Sequence, residues 1–138
     1  MPLRDFFRAP GQTRLAKGEI LLAIWVKKPR GFNLHHFEKV GRRNALACSL
    51  VSLAALLAVS DAAVVERATL AWGSVGPGIV TAPEVQRALA GKKRSRNTLE
   101  AAAAEVRKAV PSIADVRGSA DYRRTVAGNL LLRLLCYV

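Results

Sequence analysis

The stretch Leu46-Ala-Cys-Ser-Leu-Val-Ser-Leu-Ala-Ala-Leu-Leu-Ala-Val59 decides how this chain folds. Its alanine and leucine content favours helix by intrinsic propensity, yet apolar residues occupy every side, so periodicity does not separate a buried helix from a central strand. Two neighbours favour the strand. Ser60-Asp-Ala-Ala63 is a break of turn length, and Val64 to Trp72 reads as a β partner of similar length, which predicts a long hairpin. At 14 residues the run is also shorter than the roughly 20 apolar residues a membrane-spanning helix needs, so it reads as a core element.

Upstream of the hairpin, Ile20 to Val26 is short, apolar and rich in β-branched and aromatic residues, and Lys27-Lys28-Pro29-Arg30-Gly31 stops it, which predicts a buried strand. Phe32 to Val40 follows as a second extended piece, with Leu34, His36, Glu38 and Val40 on one face and Asn33, His35, Phe37 and Lys39 on the other. Residues 1–18 carry Pro2, Pro10, Gly11 and Gly18 with no hydrophobic period, so they read as an arm that packs on something else, made sticky by Phe6 and Phe7.

Downstream, the chain changes to helical patterning. Thr81 as cap and Pro83 near the start predict a short helix from about Ala82 to Ala90, ended by Gly91. Asn97 or Thr98 caps a second, whose stripe Leu99, Ala102, Ala103, Val106 and Val110 runs up to Pro111. Ser119 starts a third, with Tyr122, Val126, Leu130, Leu134 and Val138 at i, i+4 spacing. Strands first and helices last predict an α+β fold: an antiparallel sheet of about three to four strands with a long hairpin, followed by a cluster of three helices.

Composition bounds the chemistry. A chain of 138 residues that is 51% hydrophobic is one domain, or a domain plus an arm, and is not disordered. Lys and Arg number 22 against 10 Asp and Glu, a net +12 that suits an anionic partner: nucleic acid, a phosphorylated cofactor or an acidic protein surface. The amino terminus lacks the charged-then-apolar pattern of a secretory signal, so a cytoplasmic protein is expected. Cys48 and Cys136 form no C-x-x-C pair and read as core residues, and adjacent His35 and His36 on a strand point to opposite faces, so no metal site is predicted. There is no G-x-S-x-G nucleophile string, and Gly73, Gly76 and Gly78, interrupted by Pro77, read as a turn instead of a phosphate cradle. The dense run Lys92-Lys93-Arg94-Ser95-Arg96 reads as a solvated loop between helices, with a nucleic-acid or acidic-surface patch as the functional alternative.

Three ordered groups of strings resemble the carboxy-terminal domain of the FAD-binding medium subunit of the molybdenum hydroxylases, the xanthine dehydrogenase and carbon monoxide dehydrogenase family. They are Pro2-Leu-Arg-Asp-Phe-Phe-Arg-Ala-Pro-Gly-Gln-Thr-Arg-Leu15 running into Gly18-Glu-Ile-Leu-Leu-Ala-Ile24; Phe37-Glu-Lys-Val-Gly-Arg-Arg43; and Ala68 to Gly76 with Ala82-Pro-Glu84, Leu89-Ala-Gly-Lys92 and Asp115-Val-Arg-Gly-Ser-Ala-Asp-Tyr-Arg-Arg124. The resemblance implies strands for Leu46 to Trp72 and terminal helices like those read above. It divides the chain into residues 1–30, an arm and strand continuing from an FAD-binding domain, and residues 31–138, the carboxy-terminal domain. It also implies a subunit that receives electrons from a molybdopterin subunit through iron–sulfur clusters and passes them from FAD to an external acceptor. Leu21 and Lys39 match family residues that touch the flavin; the residues by themselves read equally as strand core and surface cation.

The glycine-rich segments that grip the FAD diphosphate in this family have no counterpart here. The expectation is therefore a polypeptide that is not catalytic alone, takes FAD only with the companion domain, and partners that domain together with the iron–sulfur and molybdopterin subunits. In isolation it is expected to self-associate through Phe6, Phe7 and Trp25. A small basic nucleic-acid-binding protein is the competing class.

Overall fold

The computed structural model of the chain describes residues 1–9, 11–43 and 47–136; Pro10, Leu46 and Val138 of the readings above lie outside them. In chain order it contains α1 (Leu3–Phe6), β1 (Phe7–Ala9), β2 (Gln12–Thr13), β3 (Leu34–Val40), β4 (Val51–Val59), β5 (Val65–Gly73), α2 (Pro83–Leu89), α3 (Arg96–Ala109), α4 (Ala120–Leu130) and a 3-10 helix (Leu131–Cys136). The architecture is α+β, with a three-stranded antiparallel sheet in the order β3-β4-β5 and a two-stranded ribbon, β1-β2, in the arm.

The deciding stretch is the central strand. β4 is paired along both edges, with Leu34 to Val40 on one side and Val65 to Gly73 on the other. A helix there would leave both neighbours without a ladder. Its side chains sort with period two: Val51, Leu53, Ala55 and Leu57 are buried, whereas Ser52, Ala54 and Leu56 alternate with them on the opposite face. The β4–β5 connection closes with Ala63 N–H donating to Ser60 O (2.8 Å) and Ser60 N–H to Val64 O (2.9 Å). Ala63 takes the left-handed conformation, φ 58°, as the third residue of a hairpin loop of this length does.

The helices cover one face of the sheet. Val85 and Leu89 of α2, Leu99 and Val106 of α3, and Leu131 and Leu134 of the 3-10 helix are buried against Leu53, Leu70 and Trp72. Each fully buried leucine contributes about 1.5–3 kcal/mol. Trp72, wholly buried, donates its indole N–H to Ala127 O at 3.1 Å, which ties β5 to α4. Gly128 lets α4 approach α3: a Cβ there would lie 2.7 Å from Ala103 O.

Several sequence expectations are corrected. Ile20 to Val26 forms no strand, and Ile20, Leu22 and Trp25 are 81%, 89% and 95% exposed. A strand needs a backbone partner on an edge, and no described segment supplies one. The arm is not irregular throughout, since α1 and the β1–β2 ribbon occupy residues 3–13. Cys48 and Cys136 are both exposed, Cys48 in the segment before β4 and Cys136 at the outward-facing end of the 3-10 helix. Ser95, not Asn97 or Thr98, caps α3, its Oγ accepting from Thr98 N–H at 3.3 Å. Thr81 does not cap α2; Ala82 occupies the cap position, without a side-chain bond. Ser119 does cap α4, accepting from Tyr122 N–H. The buried stripe of α4 is Arg123, Ala127 and Leu130 continuing to Leu131 and Leu134, while Tyr122 is exposed. The helix turns by one position so that Arg123 faces inward.

That inward arginine holds the layers together. Arg123, 2% exposed, donates Nη1–H to Leu50 O (2.6 Å) and Ser74 O (2.7 Å), and Nη2–H to Asp115 Oδ1 (2.6 Å). Leu50 immediately precedes β4 and Ser74 immediately follows β5, so one guanidinium bridges the open end of the hairpin to α4. Asp115 Oδ1 also accepts from the backbone N–H groups of Arg117 (2.8 Å) and Gly118 (3.2 Å). The Arg117 N–H leads in holding the Asp115 carboxyl below the usual aspartate range, against a smaller opposing effect of burial, with Arg123 adding to the depression.

Arg123→Met should leave two carbonyls unpaired and lower the unfolding free energy on the order of 3 kcal/mol, read by urea denaturation; an unchanged midpoint would contradict the bridging role. Because the folded-state pKa of Asp115 is depressed, its contribution to stability is complete above about pH 4 and is lost as pH falls through the folded value. Thermal melts between about pH 5 and pH 2 should therefore fall more steeply for the wild type than for Asp115→Asn.

Candidate functional site

Three surfaces could serve a ligand or partner. The first is built by the arm. Arg14 Nε–H donates to Asp5 O at 2.6 Å and Ala16 N–H to Glu19 Oε2 at 2.8 Å, so residues 5–19 are held to one another by their own polar groups. Around them Leu3, Phe6, Leu15, Leu21, Ile24 and Trp25 line a cavity of about 370 Å³. Leu21 is 53% exposed in it. An apolar wall open to solvent on this scale suits contact with a flat apolar group better than enclosure of a small polar one.

The second surface is the face of the sheet opposite the helices. Register places Lys39, Ser52 and Gly73 in one row across it, and Phe37, Ala54 and Ala71 in the next. Apart from Phe37, which is 70% exposed, and Lys39, these rows carry small side chains. Gly73 packs closely on its neighbour, since a Cβ there would sit 2.5 Å from Ser52 Oγ and oblige that hydroxyl to rotate away. The result is a shelf poor in side chains, with an exposed ammonium, Lys39, at its edge. The cavity that Leu21 lines does not include Lys39.

The third lies where the arm meets the corner after β5. Phe7, Ala9 and Gly11 with Gly76, Ile79 and Arg117 line a space of about 410 Å³. The Gly73 to Gly78 segment is a turn: Trp72 and Val80 exchange backbone hydrogen bonds at 2.8 and 2.9 Å, and no helix starts there to present a row of N–H donors to a phosphate. The residues present thus fit one wall of a planar-ring site and offer no diphosphate cradle among the described residues.

On β3, His35 is exposed and His36 lies on the helix-covered face, 3.3 Å from Glu38 Oε2. Among the described residues no cluster of three His, Cys, Asp or Glu side chains could hold a metal. No helix among them is long and apolar enough to cross a membrane. Sequence reasoning missed Arg123 as a structural anchor and Arg67 as a clamp on residues 30–31, described below. The string Asp115-Val-Arg-Gly-Ser-Ala-Asp-Tyr-Arg carried the first signal, since an acidic residue eight positions before an arginine flanks a helix cap there.

Residues 35–138 match the family model of the CO dehydrogenase flavoprotein C-terminal domain. Similar proteins include the nicotine 6-hydroxylase medium subunit of Paenarthrobacter nicotinovorans, 29% identical over 132 residues, and the glyceraldehyde dehydrogenase medium chain of Sulfolobus acidocaldarius, 31% identical over 129 residues. These alignments cover 95% and 94% of this chain but 45% of each relative. Among solved structures, quinoline 2-oxidoreductase from Pseudomonas putida 86 superposes with a TM-score of 0.84 at 26% identity, covering 96% of this chain and 45% of that one. A three-stranded sheet covered on one face by the helices, the ordered strings along it and a match over residues 35–138 agree: the chain belongs to the CO dehydrogenase flavoprotein C-terminal domain family.

Proposed function

We propose that this chain is the carboxy-terminal part of the FAD-containing subunit of a molybdenum hydroxylase of the xanthine dehydrogenase and CO dehydrogenase type. In this reading it covers one side of the flavin and supports electron transfer from iron–sulfur clusters to FAD. The observation that carries the reading is family membership over residues 35–138, with an alignment that spans 45% of relatives described as medium subunits.

FAD, when bound, supplies the redox chemistry; the chain's residues place it and shape its surroundings. In this reading Leu21 supplies an apolar contact to the ring, and the Lys39 ammonium supplies a charge that offsets negative charge on the ring edge or phosphates. The shelf of Ser52, Ala54, Ala71 and Gly73 beside Lys39 permits close approach of a planar group. Grip on the diphosphate comes from a companion domain outside these residues, so the chain alone is not catalytic and does not retain FAD. Its other partners in the complex are the iron–sulfur and molybdopterin subunits, and its compartment is the cytoplasm. Without them, Phe6, Phe7 and Trp25 lead the chain to self-associate, since Phe7 and Trp25 are 51% and 95% exposed.

Mixing the purified chain with the remaining portion of a relative's medium subunit should give a yellow complex that sediments as one species, with the self-association of the free chain suppressed. Leu21→Asp and Lys39→Glu should each weaken flavin retention by about tenfold while leaving the circular dichroism of the chain unchanged. Stoichiometric flavin retained by the chain alone would refute the reading.

A further inference from the structure

The flavin reading leaves two basic runs unassigned, Lys27-Lys28-Pro29-Arg30 and Lys92-Lys93-Arg94-Ser95-Arg96. The fold brings both to the β4–β5 turn end of the sheet. On the β3 side, Asn33 Nδ2–H donates to Val59 O (2.7 Å) and Val59 N–H donates to Asn33 Oδ1 (2.9 Å), which sets residues 30–33 beside the turn. On the β5 side, Val65 N–H donates to Lys92 O (2.9 Å), Arg94 N–H donates to Ala63 O (2.7 Å), and Lys93 bridges to Val64.

The first loop is clamped. Arg67 of β5 donates Nη2–H to Arg30 O (2.9 Å) and Gly31 O (3.0 Å), and its guanidinium carbon lies 4.3 Å from the centre of the Phe32 ring. Gly31 has φ +71°, and a Cβ there would sit 2.9 Å from Arg67 Nη2, so glycine is what lets the clamp close. In the second run three residues serve the fold: Arg94 Nη1–H donates to Leu134 O (2.6 Å), Ser95 caps α3, and Arg96 pairs with Glu100 (2.8 Å). Lys27, Lys28, Arg30, Lys92 and Lys93 are exposed, and among the described residues none has an ion-pair partner.

We propose that this basic end of the sheet is a docking surface for an acidic segment of a partner protein. Unpaired charge of one sign repels itself, so five such cations gathered at one end and anchored by separate devices cost stability that the fold does not need to spend. They attract and orient a carboxylate-rich partner instead. A nucleic acid fits less well. Arg67 takes one face of the Phe32 ring, and exposed Asp61 and Glu66 stand at the same end, where they repel a uniformly charged phosphate backbone. A protein segment can set neutral or basic residues opposite those two carboxylates. The proposal is independent of the flavin reading.

The test uses the full chain at low salt and fluorescence anisotropy of a labelled peptide of about ten glutamates. Binding should be salt-sensitive, and Lys27→Glu with Lys28→Glu, or Lys92→Glu with Lys93→Glu, should each weaken it by about tenfold or more. The same charge change at the far end, Arg42→Glu with Lys108→Glu, should alter it by less than about twofold. Arg67→Ala should weaken binding and remove the further effect of the Lys27 and Lys28 reversals; circular dichroism checks that each variant is folded. Equal loss from the Arg42 and Lys108 pair would reduce the effect to net charge and overturn the proposal. So would tighter binding to a single-stranded oligonucleotide of matched charge, or to phosphatidylserine vesicles, than to the peptide.

Discussion

A single buried guanidinium joins the two layers of this domain at the open end of its hairpin. Arg123 satisfies carbonyls on either side of the β4–β5 pair and reaches a carboxylate in the loop before its own helix. Removing water from an arginine is costly unless its donors are met, and here two carbonyls and Asp115 meet the Nη groups while Nε is buried without a partner among the described residues. Asp115 is in turn fixed by two backbone N–H groups, so the cation finds its partner already placed. The rotation of α4 that buries Arg123 also carries Ala127 O to the Trp72 indole and brings Gly128 against Ala103. The docking of α4 on the open end of the hairpin and the loop before that helix thus meet at one side chain.

The two faces of the sheet then divide the work. One is filled by large apolar residues from β4, β5 and the helices and specifies the fold. The other carries Lys39 at its margin beside Ser52, Ala54, Ala71 and Gly73, with the larger Phe37, Leu56 and Arg67 further along it. The same strand supplies both, because successive residues of β4 point to opposite faces.

Much of this was legible in the residues. The hairpin, the three helices and the Ser119 cap follow from turn chemistry and period, and the alternation of β3 places Leu34 inward and Phe37 outward as the pattern indicates. In β4 the strand signal was present as the size alternation Val51, Leu53, Leu57 against Ser52, Ala54, but the alanines hid it from a count of apolar residues. The missed features are those in which a polar group is used internally. Arg123 reads as one more surface cation, and Arg94 as part of a solvated run, until the carbonyls they serve are seen. Ile20 to Val26 fails for the opposite reason: its composition states a preference for extended pairing, and the residues that would satisfy it are not among those described. Leu21 and Lys39 could be singled out only through family resemblance, since neither residue type nor spacing distinguishes them.

The bridge made by Arg123 spans 73 residues to Leu50 and 49 to Ser74, whereas every strand pair in the main sheet joins neighbours in sequence. Local pairings form at little loop-closure cost, and distant ones must wait until both ends exist. On a ribosome the hairpin can therefore zip while its far end stays ajar, and the latch arrives only with the last helix. A chain truncated before that helix would retain its turns and lose its clasp.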